Sequence, residues 1–186
     1  MTIKTKPATG KLLIAEPMMQ DENFRRTVVL LCEHTEQGTF GLVLNKELPL
    51  TLNDVLPGEN LPESPLYLGG PVQPDTLHVV HRAGNRVEGA TEVSPGIWWG
   101  GKFDDIRQIL LSGEVPESYF RFFLGYSGWG EGQLDGEIAQ GGWILTGCRP
   151  EFVFGKSEKP LWRQVLKKMG GDYAVLSNFP DDPQMN

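Results

Sequence analysis

Residues 125–137 read GYSGWGEGQLDGE, and the fold turns on how they are taken. They could hold a serine nucleophile on a sharp turn, a glycine cradle for a phosphate, or a strand running into a helix. A nucleophile elbow needs G-x-S-x-G, with a small residue two positions after the serine. Trp129 stands there instead of glycine, and His34, His78 and His81 lie far upstream in strand-like segments. A phosphate cradle would use Gly128, Gly130 and Gly132 ahead of a helix N-terminus. G-x-G-x-x-G then requires glycine at 133, where the chain has Gln133, and Glu131, Asp135 and Glu137 crowd the helix start with negative charge. Those carboxylates already complement the helix dipole and repel a phosphate. What remains is a strand entering a helix. Leu134 and Ile138 share one face of that helix, and Trp129 is a packing anchor around which the glycines let the chain turn.

Working outward, SYFRFFLGY (118–126) is an aromatic strand leading into this turn. KLLIA (11–15), TVVLLCE (27–33) and FGLVLN (40–45) read as buried strands, and the polar loop between the last two suits a hairpin. PLYLGGPV (65–72) reads as a strand ending in a turn. TLHVVHR (76–82), GATEVSPGIWW (89–99), WILTGC (143–148) and EFVF (151–154) read as further strands. Helices are expected after Thr51, with Asp54 in the capping-box position. Others are expected over 104–113, with Asp104 as cap and Gly113 as stop, over 131–142, and over 159–171. The expected fold class is mixed α/β (α+β): a curved, largely antiparallel sheet with about four helices around it. Several connections are too short for a parallel crossover. One domain spans residues 1–186, with 172–186 as an extended, proline-broken tail.

Composition bounds the function. Apolar residues make up 39% of the chain and charged residues 22%, as in ordinary globular proteins. The formal charge of −7 opposes non-specific binding to phosphate backbones. A basic stretch nevertheless runs over 149–168, where Arg163, Lys167 and Lys168 would carry any nucleic-acid contact; a solvated helix face explains it better. Cys32 and Cys148 sit in apolar runs and read as buried thiols. No run approaches the ~20 apolar residues of a membrane span, and the N-terminus lacks the apolar core of a signal peptide. Together these point to the cytoplasm.

No catalytic constellation assembles. GIWWGGKF (96–103) has P-loop spacing, but Phe103 replaces the Ser or Thr that binds magnesium. His78 and His81 point to opposite faces of a strand, so no metal or cofactor site is assigned. One candidate groove for a small ligand or protein partner joins three segments at strand ends: Asn45, then Gly69, Gly70 and Pro71 to Val72, then Trp129 to Gln133. Its rivals are plain turn chemistry and an enzyme of unassigned type using the same groove. The balance favours a non-enzymatic binding or regulatory protein.

The pieces GKLLIAEPMMQDENFRRTVVLLCEH, GLVLNKEL, LYLGGPV, FLGYSGWGEGQLDGEI and the DP-x-x-N ending at Asp182–Asn186 occur in order along nearly the whole chain. In these the sequence resembles the YqgE/AlgH family of bacterial proteins. The resemblance implies a partly barrel-like sheet with helices packed around it and a cytoplasmic protein, often labelled a transcriptional regulator, with no assigned activity. The family's pattern usually carries alanine at the position of Ser127, which argues against a nucleophile there.

Overall fold

The computed structural model describes residues 6–181. Strands β1 (Lys11–Ala15), β2 (Val28–Thr35) and β3 (Gly38–Val43) form an antiparallel meander. β4 (Glu47–Thr51) and helix α1 (Leu52–Val55) lead to β5 (Pro65–Leu68) and β6 (Val72–His81). β7 (Thr91–Ser94) and β8 (Ile97–Trp99) are a hairpin, followed by α2 (Phe103–Ser112). Then come β9 (Phe120–Gly130), α3 (Gln133–Ala139) and β10 (Trp143–Gly147). The chain closes with α4 (Pro150–Phe154), α5 (Leu161–Met169) and α6 (Gly171–Leu176). The main sheet runs β10-β1-β2-β3-β9-β6-β8-β7. It curls until β7 packs back against β2. The curved, largely antiparallel sheet expected from the sequence is present, with six α-helices among the described residues rather than about four.

Both faces of β1–β3 are covered, which is why these strands read as continuous apolar runs rather than alternating ones. Leu12, Ile14, Val28, Leu30 and Leu42 point to one face and meet Trp162, Val165 and Leu166 of α5. Leu13, Val29, Leu31 and Val43 point to the other and meet Trp129, Leu134 and Trp143. A third cluster, around Phe122, Val79 and Leu66, is closed by Ile106, Ile109 and Leu110 of α2.

β9 is the spine. It pairs with β5 in parallel over 122–124 and with β3 antiparallel over 127–130, while β6 occupies its other edge. Gly125 sits between these stretches with φ +68°, a backbone conformation that glycine adopts without penalty. This left-handed residue breaks the two-residue alternation along β9. Phe123 and Tyr126, three apart, therefore face the same core.

Four expectations are corrected. EFVF is not a strand: Pro150 opens helix α4, and Phe152 and Val153 are buried, so tertiary packing overrides β-propensity. Residues 172–176 are not an extended tail. Gly170 and Gly171 turn the chain into α6, which packs on α5. Residues 89–99 form two strands rather than one. Asp104 is not the cap of α2; Lys102 holds that position, with no side-chain cap bond. The Asp54 carboxylate does accept from the backbone N–H of Thr51 at 2.7 Å, as a capping box requires. The DP-x-x-N ending lies outside the described residues. Just before it, Arg25, Arg26 and Arg163 donate to the backbone carbonyls of Asp181, Pro180 and Ser177, which ties the C-terminal segment to the body.

His81 is fully buried. Its Nδ1 accepts from the Ala83 N–H at 3.3 Å, and its Nε2 faces the Gly100 carbonyl at 3.1 Å, so the neutral Nε2–H tautomer satisfies both contacts. Burial lowers its pKa below the ordinary 6.5, against the opposing pull of the Gly100 bond. Burial lowers His78 as well. The unfolded chain therefore binds more protons than the folded one once pH falls below about 6.5, and stability present above that pH is lost on acidification. The urea midpoint is expected to fall between about pH 7.5 and 5.5. A flat midpoint across that window would contradict the assignment.

Candidate functional site

Residues 43–46, which include Asn45, run beside Leu68 and Gly69, with the Val43 N–H on the Gly69 carbonyl and the Leu68 N–H on the Lys46 carbonyl. Asn45 bridges two backbones: its Oδ1 accepts from the Val28 N–H at 2.9 Å and its Nδ2 donates to the Arg26 carbonyl at 2.8 Å. Gly69 and Gly70 are buried where the chain leaves β5, on one edge of β9, and crosses to β6 on the other. The Gly69 N–H donates to the Leu124 carbonyl at 2.8 Å, and Pro71 and Val72 complete the crossing. Trp129 is 5% exposed and belongs to the cluster on the far face of the sheet. Gln133 Oε1 accepts from the Gly130 N–H at 3.0 Å. The polar atoms of these residues make internal hydrogen bonds, and the glycines serve a backbone crossing.

Ser127 belongs to the same crossing. It lies within β9, fully buried, and its Oγ donates to the Gly69 carbonyl at 3.0 Å. That carbonyl also accepts from the Val43 N–H at 2.8 Å. The serine pins a strand crossing and has no histidine beside it among its bonded partners. Ser127→Ala removes one buried bond but leaves the carbonyl satisfied, so a loss of about 1 kcal/mol is expected. Urea unfolding measures it; a loss above ~3 kcal/mol would show that the hydroxyl does more than the bond to Gly69.

A sizeable concavity lies elsewhere. A groove of about 550 Å³ runs between β5 and β9 on one side and the α4–α5 connection on the other. Tyr67, Arg121, Phe152 and Leu161 line it, with Lys156 and Lys159 set among the carboxylates of Glu47, Glu151 and Glu158. Arg121 is presented by the aromatic strand β9, and its guanidinium carbon lies 4.3 Å above the Tyr67 ring. One of its nitrogens reaches the Gly155 carbonyl at 3.4 Å, a long bond. No carboxylate among the described residues lies within salt-bridge distance of it. Burial lowers the Arg121 pKa, and the neighbouring Tyr67 and Glu47 act against that; the guanidinium remains cationic at neutral pH. Burial raises the Tyr67 phenol, opposed by Arg121, so it stays protonated and can donate. Planar donors in a fork match a carboxylate or phosphate.

Asn45 is the one sequence-proposed residue that lines this groove. The basic stretch of 149–168 is split: Lys156 and Lys159 line the groove, while Arg163 turns away to the Phe179 carbonyl at 3.0 Å and Asp181 at 2.9 Å. Lys167 and Lys168 are exposed in the last turn of α5. They do not form a continuous stripe with Arg163. The thiols are poor nucleophiles: burial lifts Cys32 well above its ordinary value and pushes Cys148 up to about 12. Tyr67 and Arg121 were not singled out from the sequence. The available signal was a lone cation inside the aromatic run YFRFFLG, since an unpaired charge in a buried strand needs a reason.

A family profile described as AlgH-like matches residues 12–174. A UPF0301 protein of Chlorobaculum tepidum is 41% identical over 95% of this chain and 95% of its own length. Another, from Cytophaga hutchinsonii, is 43% identical over 95% and 98%. Among solved structures, a Corynebacterium diphtheriae protein superposes with a TM-score of 0.82 at 27% identity, covering 94% of each chain. The solution structure of the AlgH protein from Pseudomonas aeruginosa gives 0.73 at 29%, covering 95% of this chain and 97% of that one.

Proposed function

The chain belongs to the AlgH-like family, and we propose that it acts there as a binding protein that holds an anionic small molecule in the Tyr67–Arg121 groove. The observation that carries this reading is the half-buried Arg121 guanidinium, stacked on Tyr67 and in salt-bridge contact with none of Glu47, Glu151 and Glu158, the three carboxylates that line the groove with it. Lys156 and Lys159 line the groove as well and offset the charges of the neighbouring Glu151 and Glu158. The charged and phenolic groups on offer are a guanidinium, a phenol, two ammonium groups and the carboxylates of Glu47, Glu151 and Glu158. They bind and neutralise charge; none of the three histidines lines the groove to relay a proton near neutral pH. The protein is accordingly read as regulatory rather than catalytic, working in the bacterial cytoplasm through ligand occupancy. No helix among the described residues is long and apolar enough to cross a membrane.

Titration calorimetry with inorganic phosphate, citrate and adenosine monophosphate tests this. At least one probe should bind, with affinity that falls as salt rises. Arg121→Gln should weaken that binding at least ~10-fold, the scale of a lost charge-assisted pair. No binding by any of the three at millimolar concentration, or an Arg121→Gln protein that binds like wild type, would overturn the proposal.

A further inference from the structure

β10 is the outer strand at one end of the sheet and pairs with β1 alone. Its register shows which backbone groups remain open. The Ala15 N–H bonds the Thr27 carbonyl on the β2 side, and the Glu16 N–H bonds the Gly142 carbonyl on the β10 side. Donors alternate sides along an antiparallel ladder. Leu12 and Ile14 therefore face β10, and their partners Thr146 and Ile144 face back to β1. Trp143, Leu145 and Gly147 turn their N–H and C=O groups to the open edge. Among the described residues, no loop or side chain bonds those groups.

Native sheets blunt such edges with charge, proline, a bulge or a covering segment. The other edges of this sheet follow that rule. β4 carries Glu47 and Pro49. β7 lies against the N-terminal segment, with the Val93 carbonyl where a side chain on Gly10 would stand. β10 reads Trp-Ile-Leu-Thr-Gly, with no charge, no proline and an unbroken register.

We propose that this edge pairs with the same edge of a second copy, antiparallel about a twofold axis at Leu145. Full overlap of β10 with itself sets Leu145 opposite Leu145 of the partner subunit and Trp143 opposite Gly147 of the partner subunit. All of these residues present their open groups, so the ladder closes without a gap. The side chains agree: Trp143, buried in its own core, faces only a glycine across the seam, so nothing crowds that face, and Ile144 meets Thr146 of the partner subunit on the other, a cross-strand pair of β-branched residues. Charge agrees as well. Residues 138–148 carry none, so no like charges oppose. Extending the register two residues brings Arg149 beside the partner's α3 C-terminus, where the dipole is negative. A twofold pairing uses one self-complementary strand twice and continues the sheet across the dimer.

Sedimentation of the full chain tests the pairing. Wild type should run at twice the monomer mass at high concentration. Gly147 is exposed, and an added Cβ meets nothing within 4 Å, so Gly147→Lys leaves the fold intact. It places a charged chain against Trp143 of the partner subunit and should give monomers that melt like wild type. Hydrogen exchange adds an independent reading. In the dimer the Leu145 and Gly147 amides should be protected, and they should lose protection on dilution, whereas Ile144 and Thr146 stay protected throughout. A wild type monomeric at about 0.5 mM overturns the proposal, as does a dimer that survives Gly147→Lys, or one whose Leu145 amide exchanges freely.

Discussion

Trp129→Ala is expected to lower unfolding free energy by about 3–5 kcal/mol, as for other large aromatic truncations in a core. The ring is 5% exposed and lies 5.9 Å from Phe24 and 6.1 Å from Trp143, centroid to centroid. Gly41 makes room for it: a Cβ there would come within 3.3 Å of the indole. The indole nitrogen adds a polar anchor. Trp129 Nε1 donates to Glu137 Oε2 at 3.0 Å, and Trp143 Nε1 donates to the same oxygen at 2.7 Å. Gln133 Nε2 holds the other oxygen at 3.1 Å. One carboxylate thus fastens α3 to two strands, and removing Trp129 both opens a cavity and strips a donor from it. The loss is a large share of the ~5–15 kcal/mol that holds a typical domain. Urea unfolding decides the matter: a mutant with the wild-type midpoint would mean that the ring is not packed as described.

Gly70→Ala is expected to be more damaging still, above ~4 kcal/mol, because the obstruction is backbone rather than side chain. A Cβ on Gly70 would lie 2.2 Å from the carbonyl carbon and oxygen of Tyr126 and 2.4 Å from the Ser127 nitrogen. No rotamer relieves that. The crossing has to lift off β9, losing the Gly69 N–H bond to Leu124 and the Ser127 hydroxyl bond to Gly69. Gly136→Ala is the matched control with the opposite sign. Gly136 is exposed within α3 with open space about its Cβ, and alanine there should stabilise by up to ~1 kcal/mol. Circular dichroism melts of the two variants test the contrast. A Gly70→Ala protein melting within a few degrees of wild type would show that the crossing has slack.

The parts of the fold legible in the sequence are those governed by local pattern. Strands β1–β3 follow from their β-branched apolar runs, α2 and α5 from their apolar stripes, and the placing of Trp129 from its glycine neighbours. The crossing was not legible. GGPV carries ordinary turn chemistry, and nothing local reveals that the turn passes over a strand more than fifty residues later in the chain. Helix α4 was hidden for a related reason: EFVF has strand propensity, and the long-range packing of Phe152 and Val153 decides against it. The candidate site was legible only in part. Asn45 and the basic stretch 149–168 drew notice for other reasons, and the pairing of Tyr67 with Arg121 depends on a parallel contact between distant strands.

The central claim is that residues 125–133 and Gly69–Val72 build the fold, while ligand binding falls to the Tyr67–Arg121 groove. Amide chemical-shift mapping during titration with whichever of phosphate, citrate or adenosine monophosphate binds tests it most directly. The shifts should centre on Tyr67, Arg121 and the Lys156–Lys159 loop and should vanish in Arg121→Gln. Shifts centred instead on Gly69–Val72 and Gly125–Gln133, and unchanged in Arg121→Gln, would contradict it.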